Sequence, residues 1–558
     1  MKLAYFTLVF AGMMLFSGCV DFLKEESRSE LHAETFFSSL ATSESAVNAL
    51  YRAGINSNNF INPSINSGND FMSGGFCSGL FDNVAYGGSD MYIWNAKQLV
   101  FSVYDFRIYG LFLSPYRAIS QANVIINVLP AVDPVVTGIK QADFERLMAE
   151  ARFFRARNYL YLVRHFGDVP MITEPQFYGT DLYVSRSPAK TIYDEVIIPD
   201  LQEAVKVLAV KNQYDNNMRI TAPVASAHLI DAFVSMAGFP LYDPSKWASA
   251  TAEAKKFLPD GEYASLFSLE TNEDFEELSA YNKFRSVNVH TASPGGRKLS
   301  ACPEFIYTYE FAAGINNCWL SYVAWPVQVG PLGSSECVYP LTNNAYQPMP
   351  RYLAMYNPAL DLRMKERQFF ANSFDLNNGT MLPHPEVFTP SPYFYHDYGA
   401  VKIENASGRH FALYRLAEIY LFAAEAIAQT EGVTSQAIDA LATIRARAYE
   451  YGGVTKDEIV SELAALQKEQ FIEQVWLERY RELVFEWKEW NMIQRTRKYP
   501  KTNVMDASIP LGTAQFVDIT TVGTGFSEPR LFTIDNLLWP IPSMEINNNP
   551  NLTQSSGY

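Results

Sequence analysis

The residues best suited to chemistry are aromatic and amide side chains crowded into segments rich in Asn, Gly and Ser. Asp82-Asn83-Val84-Ala85-Tyr86 through Tyr92-Ile93-Trp94-Asn95 combines indole, phenol, amide and carboxylate. Asn316-Asn317-Cys318-Trp319-Leu320-Ser321-Tyr322, with Trp325 nearby, repeats the combination, and its Gly314-Ile315 lead-in signals an exposed turn. A third cluster holds Tyr393, Tyr395 and Tyr398 with His396 and Asp397 between them, an alternation that sets tyrosines on one strand face. Ring faces stack against the CH faces of sugars, while amides, carboxylates and guanidinium groups pair with hydroxyls. The chemistry of these clusters is therefore that of a carbohydrate-binding surface. Packing competes with it: Tyr92 and Trp94, or one of Trp319, Tyr322 and Trp325, could serve the core instead.

Catalysis finds less support. A glycosidase holds two carboxylates across a bond, and among 60 acids pairs can be imagined anywhere, but no strand-and-loop framework presents them. The chain has no G-x-S-x-G elbow, no phosphate-cradling glycine loop and no H-E-x-x-H. Its seven histidines, His32, His165, His228, His290, His384, His396 and His410, show no short metal-ligand spacing. Cys77, Cys302, Cys318 and Cys337 form neither CxxC nor a zinc pattern, so small buried thiols are expected rather than a disulfide. No catalytic residue, cofactor or metal is expected. Calcium in the Asn/Asp-rich loops is compatible with composition, but no EF-hand supports it.

The first residues read as an export signal. Lys2 supplies positive charge, Leu3 to Phe16 an apolar stretch of 14 residues, and Ser17-Gly18 two small residues before Cys19. A membrane-spanning helix needs about 20 apolar residues. Phe16-Ser17-Gly18-Cys19 resembles the lipobox of bacterial lipoproteins, which implies cleavage after residue 18 and lipid attachment at Cys19. Residues 19–35 then form a tether and residues 36–558 a single body. That body is 48 % hydrophobic and 19 % charged across the chain, which excludes disorder. A formal charge of −16 argues against nucleic acid and against polyanionic ligands.

Helices must position these clusters. Phe144, Leu147, Met148, Ala151 and Phe154 follow one helical face, stopped at Gly167 with Pro170 beyond. A second helix carries Ile192 to Leu208, and a third starts at Thr221-Ala222-Pro223. Leu413 to Ile427 ends at Gly432, Thr434 or Ser435 caps the next helix, and Thr455 with Glu458 forms a capping box. The period then continues from Phe471 to about Arg495, with Trp476, Trp487 and Trp490 as core or helix contacts. Paired amphipathic helices of this kind read as tetratricopeptide-like hairpins. Residues 55–103 and 260–400 break the pattern and are too long for idle connections. The expected fold is mainly α, a tetratricopeptide-like helical-hairpin scaffold with long irregular, aromatic-rich loop insertions. It divides at about residues 36–240 and 241–558, with the larger insertion at 260–400.

Several blocks carry a family resemblance. They are Ala149-Glu150-Ala151-Arg152-Phe153-Phe154-Arg155-Ala156, Tyr161 to Pro170, and Tyr183 to Pro188. Tyr414-Arg415-Leu416-Ala417-Glu418-Ile419-Tyr420 through Glu425-Ala426, Ile444 to Ala448 and Glu478 to Leu483 follow, and the chain ends on Trp539-Pro540-Ile541-Pro542 and Asn549 to Tyr558. In this order they resemble the SusD/RagB family. The charged members read as structural: Arg152, Arg155 and Arg164 pairing with acids such as Glu150, and the 478–482 cluster as interhelical pairs and solvated faces. His165 reads as a satisfied structural histidine. The resemblance implies an outward-facing, lipid-anchored outer-membrane protein that binds oligosaccharide or polysaccharide without catalysis. Its implied partner is a SusC-like TonB-dependent transporter, with peptide or glycoprotein capture the main alternative and a surface glycoside hydrolase a weaker one. Glycan-binding relatives use aromatics from about the 82–95 segment, which supports Trp94 and Asn95 by position. Asp21, Glu25 and Glu26 behind Cys19 fit a surface-export signal.

Overall fold

The scaffold starts from a helix too apolar to stand alone. In the computed structural model Gln141–Phe166 is one helix of 26 residues, with buried side chains from Leu147 to Phe166 on nearly every face of its second half. Such a helix is stable only when surrounded. The structure describes residues 37–56, 70–82, 91–176, 182–287, 296, 298, 301–310, 347–375, 381–383, 390–394, 409–522 and 537–558. Cys19, the 1–18 signal and the 19–35 tether lie outside them.

In chain order the elements used below are α1 (Leu40–Leu50), α2 (Asp70–Ser78), β1 (Phe81–Asp82), α3 (Met91–Gln98), α4 (Phe106–Val128) and α5 (Gln141–Phe166). Next come α6 (Ile198–Val207), α7 (Ala222–Ala237), α8 (Lys246–Lys255), α9 (Ala280–Arg285), β2 (Phe305–Tyr309), β3 (Gln347–Pro348), β4 (Phe370–Ala371), β5 (Ser391–Pro392) and β6 (Phe411–Arg415). The last five are α10 (Leu416–Glu431), α11 (Ser435–Tyr449), α12 (Lys456–Ala464), α13 (Lys468–Glu482) and α14 (Glu489–Thr496).

Each scaffold helix packs on the next: α4 on α5, α5 on α6, α6 on α7, α7 on α8, α8 on α10, α10 on α11 and α13, and α11 on α12. This is the mainly helical, paired arrangement the periodicity predicts. It also locates the larger insertion, because α8 and α10 pack directly although residues 256–415 separate them in sequence. The insertion leaves the stack and returns without interrupting it. Strand β2 pairs antiparallel with β6, Phe411 opposite Tyr309, and so ties the insertion's outward limb to its return.

Local signals account for the helix ends. Gly167 caps α5 at φ +71, the left-handed region that glycine enters without a Cβ penalty. Thr221 precedes α7 with proline in its first turn, and the Thr434 side chain accepts from Ala437 N. Thr455 and Glu458 form the reciprocal capping box. Two readings need correction. The 55–103 stretch contains helices α2 and α3, too short to impose a sustained period. The expected continuous helix from Phe471 to Arg495 is two helices, because Phe485 and Trp487 adopt φ of +68 and +56 between them.

The charged blocks are structural, but their surroundings differ from expectation. Arg155 pairs with Asp200 at 2.7 Å and Arg164 with Asp231 at 2.6 Å, while Glu150 is held by Arg219 at 2.7 Å. The 478–482 cluster is not a solvated face. Glu478 and Glu482 are fully buried and join Glu304, Asp361 and Glu486 against Arg363, Arg415, Arg445, Arg447 and Arg481. Neighbouring helices cover that face, which periodicity within one helix does not reveal. Burial would raise the Glu304 carboxyl, but Arg447 and Arg415 beside it hold it down to about 2, and Arg363 and Arg445 do the same for Glu478. Burial dominates at Glu486 and Glu489, pushing each up to about 7. His165 is a satisfied core histidine, Nδ1 facing Tyr161 O at 2.9 Å, its ring between Tyr161 and Trp539. Cys77 and Cys302 are buried free thiols, and Cys318 and Cys337 lie outside the described residues.

Removing one partner from a buried ionic cluster leaves an uncompensated charge and costs about 3–5 kcal/mol. Glu482→Ala is therefore expected to lower the free energy of urea unfolding by about that amount. The pH dependence has two limbs. Glu304 and Glu478, depressed in the folded state, contribute stability that is present above about pH 4.5 and lost as pH falls toward 2. Glu486 and Glu489, raised in the folded state, contribute stability below about pH 4.5 that is lost as pH rises through 7. Unfolding free energies between pH 2.5 and 8 should thus fall steeply below pH 4.5 and more gently toward 8. A Glu486→Gln variant should flatten only the upper limb.

Candidate functional site

Three short strands bring together described residues that flank the sequence's aromatic clusters. β1 follows α2 and pairs antiparallel with β3, Phe81 opposite Pro348 and Asp82 opposite Gln347. Asp82 opens the first candidate segment, and Gln347 is where the chain returns after the second. Gln347 Nε2 also donates to Pro390 O at 2.8 Å, next to β5 and Tyr393 of the third. One described flank of each segment, Asp82, Gln347 and Pro390, therefore meets the others at this point.

An aromatic cluster beneath them fixes that meeting point. Phe485 stands 5.8 Å from Phe81, 5.6 Å from Phe370 and 6.1 Å from Phe394, centroid to centroid. Phe369 and Phe284 extend the cluster from Phe394, and Tyr352 packs on Phe81 at 5.1 Å. Ring pairs at such spacing contribute roughly 0.5–1.5 kcal/mol each beyond their buried area. The left-handed backbone at Phe485 and Trp487 is the conformation that aims these two rings at the loop roots, where Trp487 meets Phe411 at 4.5 Å. Non-glycine residues in that region persist where surrounding packing over-determines them.

Of the predicted site residues, Asp82 is half-buried and ion-paired with Lys97 at 2.5 Å, which locks β1 to α3. Asn95 is half-buried on α3, and α3 also carries Tyr92 and Trp94. The side chains of Tyr92 and Trp94, and Asn83, Tyr86, Asn316, Asn317, Trp319, Tyr322, Trp325, Tyr395, His396, Asp397 and Tyr398 altogether, lie outside the described residues. Tyr393 is half-buried, with the Arg285 guanidinium 4.6 Å from its ring centroid. An arginine stacked on a partly exposed tyrosine offers both an apolar face and hydroxyl-pairing donors. Arg285 sits at the end of α9, inside the region without sustained period, so nothing in the sequence pointed to it. Tyr104 and Phe106 were also missed and are 82 % and 67 % exposed. The signal for them is local: Asp105 caps α4, which leaves Tyr104 outside the helix and Phe106 at its first, unpacked position. Among the described residues no group of three or more His, Cys, Asp and Glu could hold a metal, and no helix is long and apolar enough to cross a membrane.

With this geometry in place, comparison with known proteins assigns the family. The SusD family model matches residues 389–558. A second, described as SusD-like and starch-binding, associating with outer membrane, matches residues 21–230. A SusD-like protein of Formosa agariphila is 28 % identical over 293 residues, covering 48 % of this chain and 53 % of its own length. The chain thus spans about half the length of that curated relative and 65 % of another from the same organism. The crystal structure of a SusD superfamily protein from Parabacteroides distasonis superposes with a TM-score of 0.73 at 25 % identity, covering 95 % of this chain and 100 % of that one. A laminarin-binding SusD-like protein has the same fold, with a TM-score of 0.64 at 17 % identity over 93 % of this chain and 99 % of that one. The chain belongs to the SusD family.

Phe485→Ala should expose the importance of the aromatic junction. Loss of a buried phenyl ring costs about 3–5 kcal/mol, and alanine keeps the Cβ that disfavours the left-handed backbone, so no relief of strain offsets it. Differential scanning calorimetry is the check, and an unchanged transition would remove Phe485 from this supporting role.

Proposed function

We propose that this protein is a non-catalytic, surface-exposed lipoprotein that captures oligosaccharide or polysaccharide and delivers it to a SusC-like TonB-dependent outer-membrane transporter. The observation that carries the reading is the meeting at Gln347 of residues that flank the three aromatic and amide segments, in a chain whose family includes starch-binding and laminarin-binding members. Residues from separate segments can then contact successive sugars of one chain. Lipid attachment at Cys19 would hold this surface at the outer membrane, and the family match beginning at residue 21 suits a mature chain starting at Cys19. Among the described residues the buried acids are engaged by arginine, lysine or hydroxyl partners of the scaffold, which favours binding over hydrolysis.

Affinity gels and calorimetry against a panel of laminarin, starch and host glycans test the binding. Trp94→Ala and Tyr393→Ala should each weaken the retained glycan about tenfold, roughly 1.4 kcal/mol, with little change in melting temperature. Unchanged affinity would take the residue out of the site. Steady release of reducing ends in proportion to protein would overturn the non-catalytic reading, and retention of peptide mixtures without any glycan would replace the ligand class. Labelling with radioactive palmitate should fail in Cys19→Ala.

A further inference from the structure

A cavity of about 170 Å³ lies inside the helical stack, between α5, α7, the β6–α10 junction and the α13–α14 turn. Trp487 at the loop roots forms one wall of it, the described site residues Asp82, Asn95, Arg285 and Tyr393 do not line it, and its lining is charged. Arg164 faces Asp231 at 2.6 Å, and Asp231 also accepts from the Tyr414 hydroxyl. Arg479 and Lys488 both pair with Glu418, at 3.0 and 2.9 Å, with the Glu425 carboxylate also acting on Arg479 and the Glu486 carboxylate on Lys488. Among the described residues Arg157 pairs with no carboxylate. It is only 6 % exposed, its guanidinium is bonded to the hydroxyls of Tyr307 and Tyr309, and it lies 5.1 and 5.2 Å from their ring centroids. His228 adds no negative charge, since its Nδ1 faces Val224 O at 2.8 Å.

Among the described lining residues Arg495 is matched by Glu425, and Glu486 adds a carboxylate paired with Arg415, so Arg157 is the cation left without a described carboxylate. The lining also presents buried donors without partners: Nε and Nη1 of Arg479 and the indole N–H of Trp490, residues 4 % and 1 % exposed. A buried charge without a counter-charge is strongly unfavourable. Water filling the cavity would satisfy hydrogen bonds but leave the charge uncompensated. A small oxyanion supplies both, since its oxygens accept from planar guanidinium forks. We propose that this interior cavity is a binding site for a small oxyanion, a carboxylate or an inorganic oxyanion of sulfate or phosphate size, held by Arg157 and Arg479 with the Trp490 indole N–H. The occupant stabilises the junction between the first hairpins and the α13–α14 turn.

The test uses the mature chain and sodium acetate, phosphate or sulfate up to 10 mM, with sodium chloride matched for ionic strength. At these concentrations general salting effects are small. At least one oxyanion should raise the melting temperature saturably by about 2 °C over chloride, and Arg157→Met should lose that rise while keeping its glycan affinity. Equal melting temperatures in all salts, or the same rise in Arg157→Met, would overturn the proposal in favour of a water-filled cavity. Should the variant not fold, titration of intrinsic tryptophan fluorescence in the unaltered protein decides: a saturable change with oxyanion and none with chloride supports the site, and its absence refutes it. Either result is distinguishable from failure of the glycan reading, because the described candidates Asp82, Asn95, Arg285 and Tyr393 do not line the cavity.

Discussion

Glu482 sits where the two halves of the architecture are joined. One carboxylate oxygen receives Arg415 at 2.7 Å and Arg447 at 2.5 Å, and the other receives Arg363 at 3.0 Å. Those arginines belong to β6, to α11 and to a 3₁₀ turn inside the large insertion. Glu304, at the start of β2, bridges the same two arginines Arg415 and Arg447. The insertion is thus fastened to the scaffold by charges, at points where hydrophobic packing alone would tolerate a slip. Five carboxylates against five arginines give little net stability over an apolar core of the same shape, because desolvation offsets the attraction. What they give is geometry. A planar guanidinium accepts few arrangements of carboxylates, so misregistered packing strands a charge and is rejected.

The turn from Leu483 to Lys488 passes that constraint outward. Its residues alternate in direction: Phe485 and Trp487 point toward the loop roots, while Glu486 returns to Arg415 and Lys488 to Glu418. A regular helix could not divide consecutive side chains between two faces in this way, since its neighbours lie three and four residues apart. Two left-handed residues interrupt the helix and supply the alternation. The strain is held by ring packing on one side and ion pairs on the other. One short turn thereby sets the positions of β1, β4 and β5 relative to the helical stack.

Helices and their ends were legible in the sequence because their causes are local. The α5 cap at Gly167, the proline start of α7 and the Thr455 capping box depend on residues within a few positions of each other. The blocks resembling SusD/RagB proteins were equally legible, and the fold bears them out. Partner choice was not. Asp200 rather than Glu150 holds Arg155, and the 478–482 acids are buried, because both facts depend on helices distant in sequence. For the site, the three aromatic segments could be named from composition, but the meeting of their flanks could not. It rests on a two-residue strand, Gln347–Pro348, whose pairing spans more than 260 positions and leaves no periodic trace. Arg285 was invisible for the same reason: its meaning comes from Tyr393, 108 residues further along.

Charge is distributed against the overall balance. A chain with formal charge −16 has acid to spare, yet among the described residues buried Arg157 goes without it. The network around Glu482 is balanced residue for residue, so the cavity's Arg157, which has no carboxylate among the described residues, is not an overflow from it. Tyrosine rings and hydroxyls screen Arg157 without neutralising it. Burial and the nearby Arg157 charge together depress His228 to about 3, so this side chain stays neutral and leaves the field to the arginine. Composition describes what the surface offers to solvent and to large ligands. The interior obeys a separate balance, set group by group, and there a single arginine without its acid is a stronger statement than sixteen excess charges outside.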